Sequence, residues 1–388
     1  MTMRVVPSGP AGSQTVRDHN QRLVLAALAE AREGASRAQL SASTGLTRAT
    51  VGTLVEDLIS DGLVIESSPL RGSRGRPGSP VSLNPDGPAG LGIEINVDYL
   101  ASCVIDLTGH VRATRIEVVD NRARDPRAVI AAAVALAARV RAEAGLPLAG
   151  VGVALAGLVD DRGVLRRAPN LGWRDVDVVS ALKVEAHDWI ADSSLRVENE
   201  ANLAALAELW YGERPWLRDF VQLSGEIGIG AGLVLRGQLF RGARGHAGEL
   251  GHVIVDPRGP ECHCGARGCL EQLAGKEALL AAAGVSSLEW LRADATAGKA
   301  RALEALEHAG VAIGRALLSA LNVIDLDVVV LGGVYAGLAR WLIPAVQSEL
   351  SRRVSSPWNP ATVLASSLGD DAAVRGAAGL VVHDILSN

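Results

Sequence analysis

The spacing of apolar residues divides the chain into a short helical segment and a longer segment in which strands and helices alternate. In the first 85 residues the pattern predicts helices over 16–31, 36–43 and 47–60, followed by short strands over 63–65 and 81–83. The third helix has the clearest buried face, because apolar side chains recur there at helical spacing: Val51, Leu54, Val55, Leu58 and Ile59. The pattern therefore predicts three helices and a two-stranded hairpin.

Beyond a linker at 84–88, alternating strands and helices indicate an α/β body. Strands are predicted over 90–95, 101–106, 150–159, 163–168, 220–224, 231–235, 238–240 and 328–331, and helices over 126–144, 276–283, 287–307, 309–323 and 371–386. Paired strands open this segment and recur near residue 220, each set followed by helices. The repetition predicts two lobes built from a duplicated unit, with a cleft between them.

The face of the third helix opposite its apolar stripe begins with small or hydrogen-bonding side chains. Arg48, Ala49 and Thr53 lie on that face, while Thr47 and Thr50 can cap the helix or meet a phosphate. A helix of this kind after a short turn is typical of a helix-turn-helix, whose second helix enters the major groove of DNA. We therefore expect the segment to read a double-stranded operator. A three-helix protein-interaction module is the alternative.

A basic excursion over 68–80 separates the two predicted short strands. It carries Arg71, Arg74 and Arg76 and no acidic residue, and its Arg-Gly-Arg-Pro core is slim enough to insert arginines into a narrow minor groove. The alternative is a flexible, solvated hairpin tip. Together with the three helices, the excursion predicts a winged helix.

The charge of the chain is unevenly distributed. The net charge is −5, yet residues 1–85 contain nine arginines and seven acidic residues, which leaves a net of −7 for the remainder. The first residues are rich in Gly, Pro and Ser and lack the apolar core of a signal peptide, so 1–14 are expected to be a disordered leader. Apolar runs are too short to span a bilayer. These features predict a cytoplasmic protein with no membrane partner.

Three of the four cysteines lie within eight residues of one another. Cys262, Cys264 and Cys269 follow His252 by ten residues or more, and three thiolates with one imidazole form the Cys₃His set of a closed structural zinc site. The alternatives are free thiols and a disulfide, which would leave one cysteine over. His246 and His263 are rival ligands, which we expect to point away from the ion.

The order and spacing of residues 15–388 resemble those of the ROK family of repressors, open reading frames and kinases, and in particular its sugar-responsive repressors. The most specific match is His252 with Cys262-x-Cys264-Gly-x-x-Gly-Cys269-Leu-Glu271, and 197–202 and 169–170 resemble two further family segments. The resemblance implies a two-lobe, actin-like ATPase (ribonuclease H-like) body behind the mainly α winged helix, assembled as a homodimer or homotetramer. It places the winged helix at 15–84, the first lobe at 85–199 plus 371–388, and the second lobe, with the zinc site and the oligomerisation surface, at 200–370.

The resemblance also implies a monosaccharide site between the lobes. Matched position by position, that site comprises Asn170, Asn199, Glu200, Glu249, His252 and Glu271. Amide and carboxylate side chains suit sugar hydroxyls, which both donate and accept hydrogen bonds. His252 could bind zinc through one ring nitrogen and a sugar through the other. Asn199 has a competing explanation, because an asparagine at a strand end is often a helix cap.

The chain departs from the family's kinases at the positions that hold ATP. The first phosphate loop of those kinases matches 94–98, where both glycines are absent and Asp98 introduces a negative charge. The second loop gains Glu226, and Glu200 replaces the catalytic aspartate. Gly332-Gly333, at the adenosine position, is retained. We therefore expect no ATP cofactor and no kinase activity, and interpret the chain as a sugar-controlled DNA-binding repressor. The alternatives are an ATP-dependent sugar kinase with a DNA-binding head and a zinc-dependent scaffold.

Overall fold

The computed structural model describes residues 13–31, 34–66, 79–160, 162–190, 194–353 and 360–387. The first elements are α1 (Ser13–Ala31), α2 (Arg37–Thr44), α3 (Arg48–Ser60), β1 (Val64–Glu66) and β2 (Val81–Leu83), and β1 pairs with β2 antiparallel. Ser36 caps α2 with a capping box. Thr47 caps α3, as the sequence predicted. We call these elements the head.

A five-stranded sheet forms the centre of the first lobe. Its elements are β3 (Ala89–Ile95), β4 (Tyr99–Ile105), β5 (Val111–Val118), α4 (Pro126–Ala144), β6 (Leu148–Leu155) and β10 (Ser194–Asn199), and the strand order is β10-β6-β3-β4-β5. Between β6 and β10 the chain forms a small sheet of β7 (Leu158–Val159), β8 (Val164–Ala168) and β9 (Trp173–Asp177), then α5 (Val178–Glu185) and α6 (His187–Ile190). Helix α4 packs on one face of the large sheet and buries side chains of β3 and β6.

The second lobe repeats the five-stranded plan. It contains α7 (Glu200–Tyr211), β11 (Phe220–Gly225), β12 (Ile229–Leu235), β13 (Gln238–Leu239), α8 (Glu271–Ala274), α9 (Lys276–Ala283), α10 (Leu288–Thr296), α11 (Ala300–Ile324), β14 (Val328–Gly333), α12 (Ala339–Arg353) and β15 (Thr362–Ala365). The strand order is β13-β12-β11-β14-β15. Apolar residues of β11, β14, α11 and α12 share one core. Among the described residues, no helix combines the length and apolar character needed to cross a bilayer.

The final helix, α13 (Ala372–Ser387), joins the head to the first sheet. Glycines on the sheet allow α13 to pack closely, because a Cβ at Gly92 would collide with the carbonyl oxygen of Val374. Val374 and Ala378 of α13 belong to the same buried cluster as Cys103 of β4 and Val24 of α1. The head and the first lobe therefore share a continuous apolar core.

Three sequence-based boundaries were wrong. The expected leader over 1–14 overlaps α1, which already begins at Ser13, while residues 1–12 lie outside the described part of the chain. The expected strand 150–159 is split, because β6 lies parallel to β3 and β10 while β7 pairs antiparallel with β8. The sequence predicted helices over 287–307 and 309–323, but the break between the two helices lies at 297–299, where Gly298 has φ 73°. Helix α11 continues through His308, which lies on the exposed face of the helix.

Candidate ligand cleft and metal centre

The cysteine cluster brings four candidate metal ligands together. One ligand atom from each of His252, Cys262, Cys264 and Cys269 lies within 4.8 Å of the others. The sulfur atoms of Cys264 and Cys269 are 3.6 Å apart, and Nδ1 of His252 is 3.6 Å from the sulfur of Cys262. Zinc–sulfur bonds of about 2.3 Å in a tetrahedron separate two sulfurs by about 3.8 Å. The donor set could therefore hold a metal with little movement.

The loops around this cluster explain how the sequence forms it. Gly265 and Gly268 have φ values of 94° and 73°, so both tight turns use the left-handed region that glycine favours. All four cysteines of the chain are free thiols, which disagrees with the disulfide alternative. Burial raises the pKa values of Cys262 and Cys269, and a positive ion among them would favour the thiolates that bind metals. His246 and His263 are not members of the cluster.

Two of the six predicted sugar-site residues, one from each lobe, lie beside Gly228. Asn170 follows β8 in the first lobe and Glu271 begins α8 in the second. A Cβ placed on Gly228 would lie 2.6 Å from Oε2 of Glu271 and 3.2 Å from Nδ2 of Asn170. The same carboxylate oxygen accepts a hydrogen bond from the backbone N–H of Ile229 at 3.3 Å. The missing side chain at Gly228 therefore leaves room for both polar groups.

His252 connects the metal cluster to a carboxylate. Its Nδ1 faces Cys262, while its Nε2 lies 3.8 Å from Oε2 of Glu249, one 3-10 turn earlier. Burial raises the pKa of Glu249, and the imidazoles of His252 and His246 oppose that shift. The two ring nitrogens of His252 thus point to different groups, which is the arrangement a ligand shared between ion and sugar requires.

Asn199 is a helix cap, which is the competing explanation that the sequence allowed for this residue. Its Oδ1 accepts hydrogen bonds from the backbone N–H groups of Ala201 and Asn202 and so caps α7. Its Nδ2 donates to the carbonyl oxygen of Gly157 at 2.9 Å. One amide hydrogen is left for a ligand, so the cap does not by itself remove Asn199 from the predicted site.

Glu200 lies among other carboxyl groups. Nδ2 of Asn96 donates to its Oε2 at 2.8 Å, and burial together with the charges of Glu94 and Asp98 raises the pKa of Glu200 to about 8. The carboxyl of Glu94 accepts a 2.6 Å hydrogen bond from the hydroxyl of Tyr99, and burial raises its pKa to about 7. Burial, followed by the charges of Glu200 and Glu94, raises the pKa of Glu226. Glu94, Glu200 and Glu226 therefore form one acidic cluster, in which Glu94 and Glu226 come from the two segments that the sequence matched to phosphate loops.

Sequence reasoning missed the residue that faces Asp98. Lys276, at the start of α9, places its Nζ 2.6 Å from Oδ2 of Asp98. The two residues are 178 positions apart, and no local pattern links them. Arg122 and Glu277 form a second ion pair between the lobes, with a distance of 3.2 Å.

The head presents the predicted DNA-contacting side chains at the start of α3. Arg48, Ala49 and Thr53 are exposed, while Thr50 is half-buried. Thr47 caps the helix by accepting from the backbone N–H of Thr50 at 3.2 Å, so capping is the observed role of this residue. The hydroxyl of Thr53 donates to the carbonyl oxygen of Ala49 at 3.3 Å. Arg71, Arg74 and Arg76 lie outside the described residues.

Comparison with known proteins places the body in a family. The model of the ROK family matches residues 90–384. The chain belongs to the ROK family. The IclR helix-turn-helix domain matches residues 23–66, which cover most of the head of this ROK protein. The recognition of the family and the fold class predicted from the sequence are thus both confirmed.

Several relatives extend over nearly the whole chain. The xylose repressor of Bacillus subtilis is 28% identical over 96% of this ROK chain and 97% of the repressor. A solved ROK family transcriptional regulator, described as a homologue of the E. coli MLC protein, shares the fold with TM-score 0.79 and 24% identity over 96% of this chain and 97% of that one. A ROK family glucokinase from Streptomyces griseus, solved with glucose and AMPPNP, aligns with TM-score 0.67 and 26% identity over 75% of this chain and 98% of the kinase.

Proposed function

We propose that the protein is a DNA-binding transcriptional regulator, acting as a repressor of sugar-utilisation genes, that is controlled by a monosaccharide bound between its lobes. The observation that carries the proposal is the joint presence of a helix-turn-helix head and a ROK body with one continuous core between them. The full-length similarity to a xylose repressor supports the same assignment. A ligand that changes the conformation of the body can also change the position of the head, because α13 contacts both.

In this proposal the head reads an operator. Arg48, Ala49 and Thr53 contact base edges in the major groove, while Thr47 and Thr50 hold the start of α3 and lie near phosphates. Arg71, Arg74 and Arg76 enter or flank the minor groove. A homodimer or homotetramer sets two heads on a palindromic operator, so the distance between heads controls affinity.

The sugar binds between Asn170 of the first lobe and Glu271 of the second, with Glu249 and His252 beside it. Asn199 contributes its remaining amide hydrogen, and Glu200 closes the site toward the acidic cluster. Binding draws the two lobes together and alters the operator affinity of the head. Such control requires that the two conformations bind the sugar with different affinities.

The metal in this proposal is a structural Zn²⁺ held by His252, Cys262, Cys264 and Cys269. Thiolate and imidazole donors are those that zinc prefers in closed tetrahedral sites. The ion fixes the loop that carries Glu249 and Glu271, which stand three residues before and two residues after its outer ligands. Metal loss is therefore expected to weaken the sugar site.

The acidic cluster argues against phosphoryl transfer from ATP. Glu94, Glu200 and Glu226 surround the place where the family's kinases hold phosphates, and among the described residues the pocket that they line presents no lysine, arginine or histidine to bind a triphosphate. The competing assignment is a sugar kinase, because the chain is also similar to a ROK family glucokinase.

A thermal-shift screen of monosaccharides tests the proposal first, followed by operator binding with each sugar that raises the melting temperature. A regulator shows sugar-dependent operator affinity and no ADP release with ATP. Turnover at about 1–10³ s⁻¹, an ordinary range for enzymes, would support the kinase instead. A scaffold would respond to no sugar.

A further inference from the structure

The outer edge of the first sheet is a long strand with one free side. Strand β5 ends the order β10-β6-β3-β4-β5, so among the described residues its only partner strand is β4. It is also the longest of the four strands that end the two five-stranded sheets, with eight residues against six in β10, four in β15 and two in β13. Its outward N–H and C=O groups can therefore pair with another strand.

Side chains on both faces of β5 are exposed. The five consecutive residues 114–118 are all exposed, and Ile116 and Val118 reach 50% and 90%. Four of the eight residues of the strand are β-branched, a composition that favours sheet pairing. Lysine and proline, which commonly protect a sheet edge from pairing, are absent from 111–118. The edge therefore has the composition of a pairing surface.

The two charged side chains of this exposed stretch lie on the face that carries α4. Nη2 of Arg115 lies 2.9 Å from Oε2 of Glu143 in α4, and Glu117 pairs with Arg139 of the same helix. Because side chains alternate along a strand, the three uncharged residues of 114–118 lie on the opposite face. One face of the edge thus carries both signs of charge, and the other carries none.

The order of these residues fits a second copy of the same strand. Two sheets that join edge to edge about a perpendicular two-fold axis keep their α4 helices on the same side. With the axis at Ile116, Arg115 of each copy faces Glu117 of the other, and the two Ile116 side chains face each other. Opposite charges and β-branched pairs directly across two strands are stabilising, whereas an axis at Arg115 or at Glu117 would place like charges face to face. Charge complementarity therefore selects Ile116 as the centre.

We propose that two copies of the chain bind each other through β5, antiparallel about a two-fold axis at Ile116, so that their first sheets form one continuous sheet. The interface is isologous, because each copy contributes the same residues. It lies in the first lobe, whereas the sequence predicted an oligomerisation surface in the second.

Pairing through β5 fixes the distance between two heads. Strand β4, the neighbour of β5, contributes Ala101 and Cys103 to the core that it shares with Val24 of α1. The head of each copy is therefore one strand away from the interface. This consequence rests on the proposed function, in which two heads bind one operator, but the pairing of the strands does not.

Disulfide crosslinking between copies of the zinc-loaded full chain tests the register. About the proposed axis the two Cα atoms at position 116 are about 4.5–5.5 Å apart, which a disulfide can span. Ile116→Cys should therefore form a covalent dimer with oxidised glutathione, seen by non-reducing electrophoresis, whereas the wild-type chain should not. Thr114→Cys alone should not form one, because its two copies are about 13 Å apart along the strands. A mixture of Thr114→Cys and Val118→Cys chains should, because these two positions face each other.

Sedimentation velocity of Ile116→Lys gives a second measurement that needs no crosslink. Two lysines would face each other at the centre of the interface, so the dissociation constant of this assembly step should rise by about tenfold or more. The mass of the assembly should then fall by about half, because an isologous interface joins two equal parts. Val184→Lys is the matched control, since Val184 is an apolar residue of α5 that is 71% exposed, and it should assemble as the wild type does.

Three results would overturn the proposal. The first is no covalent dimer from Ile116→Cys, and the second is a dimer formed as readily by Thr114→Cys alone. The third is an unchanged mass of Ile116→Lys, which would leave the edge free or available to a different protein. Sugar-dependent operator binding is measured separately on the wild-type chain, so this proposal and the proposed function can fail independently.

Discussion

Lys276 and Asp98 form an ion pair across the cleft, with Nζ and Oδ2 2.6 Å apart. Asp98 lies in the turn between β3 and β4, and Lys276 is the first residue of α9, five positions after Glu271. Their side chains are 23% and 30% exposed, so water screens the pair only partly. The pair thus joins the first lobe to the second.

Replacing Lys276 with glutamine should destabilise the protein by about 1–2 kcal/mol, since Asp98 would remain unpaired beside other carboxylates. Urea unfolding measures the change, and adding Asp98→Asn should recover part of it. Arg139→Gln, which removes a half-exposed ion pair with Glu117, should cost less than about 1 kcal/mol. If Lys276→Gln and Arg139→Gln lowered the free energy of unfolding equally, the interlobe pair would contribute no more to stability than an exposed ion pair.

Stability should fall as pH rises from about 4.5 to 8. Glu94 and Glu200 have pKa values raised to about 7 and about 8, so the folded protein retains protons that the unfolded chain releases above its ordinary value of 4.5. The folded state binds more protons in this window, and linkage therefore lowers the free energy of unfolding with rising pH. Above about pH 8 this contribution levels off.

Glu200→Gln should flatten that dependence, by at least about 1 kcal/mol between the ends of the window, because the amide has no proton to lose. Urea unfolding of both chains at several pH values, without added divalent cations beyond bound zinc, gives the difference directly. A wild-type chain whose stability changes with pH as the variant's does would contradict the assigned pKa shift.

Cys264→Ser should remove the metal. Metal analysis of the wild-type chain is expected to give about one zinc per chain, since the Cys₃His set closes a four-coordinate site. His263→Ala is the control, because His263 is exposed and outside the ligand cluster. Zinc retained in Cys264→Ser, or lost in His263→Ala, would mean that the ligands are wrongly assigned.

Arg48→Ala should weaken binding to the specific operator by about 5- to 150-fold, the range of about 1–3 kcal/mol for a side chain that reads a base. Ser60→Ala, at the exposed C-terminal end of the same helix, should leave binding unchanged. Fluorescence anisotropy with an operator fragment selected from random DNA provides the measurement. If both variants bound as the wild type does, α3 would not be the reading helix.

The sequence predicted the head well because its helices are short, capped and amphipathic. Val51, Leu54, Val55 and Leu58 are all buried, and Ser36 and Thr47 cap their helices. The sequence also predicted the cluster of four candidate metal ligands, since these residues lie within 18 positions of one another along the chain. Local patterns were sufficient for these features.

Other features depended on contacts that no local pattern encodes. The sequence placed the break between two helices at residue 308, whereas the structure places it at 297–299, where Gly298 has a left-handed backbone conformation. The pairing of Asp98 with Lys276, and the convergence of Asp370 with Glu94 and Glu226, depend on how distant segments pack. Asn199 acts as a cap, which its segment alone could not distinguish from a ligand role.

Operator affinity measured by fluorescence anisotropy, with and without each sugar that stabilises the protein, tests the central claim most directly. We predict that at least one monosaccharide at saturation weakens operator binding by about tenfold or more, within the range of typical coupling energies, in the absence of ATP. Asn170→Ala should abolish the response while retaining operator binding without sugar. Operator affinity that stays the same with every stabilising sugar would contradict the account.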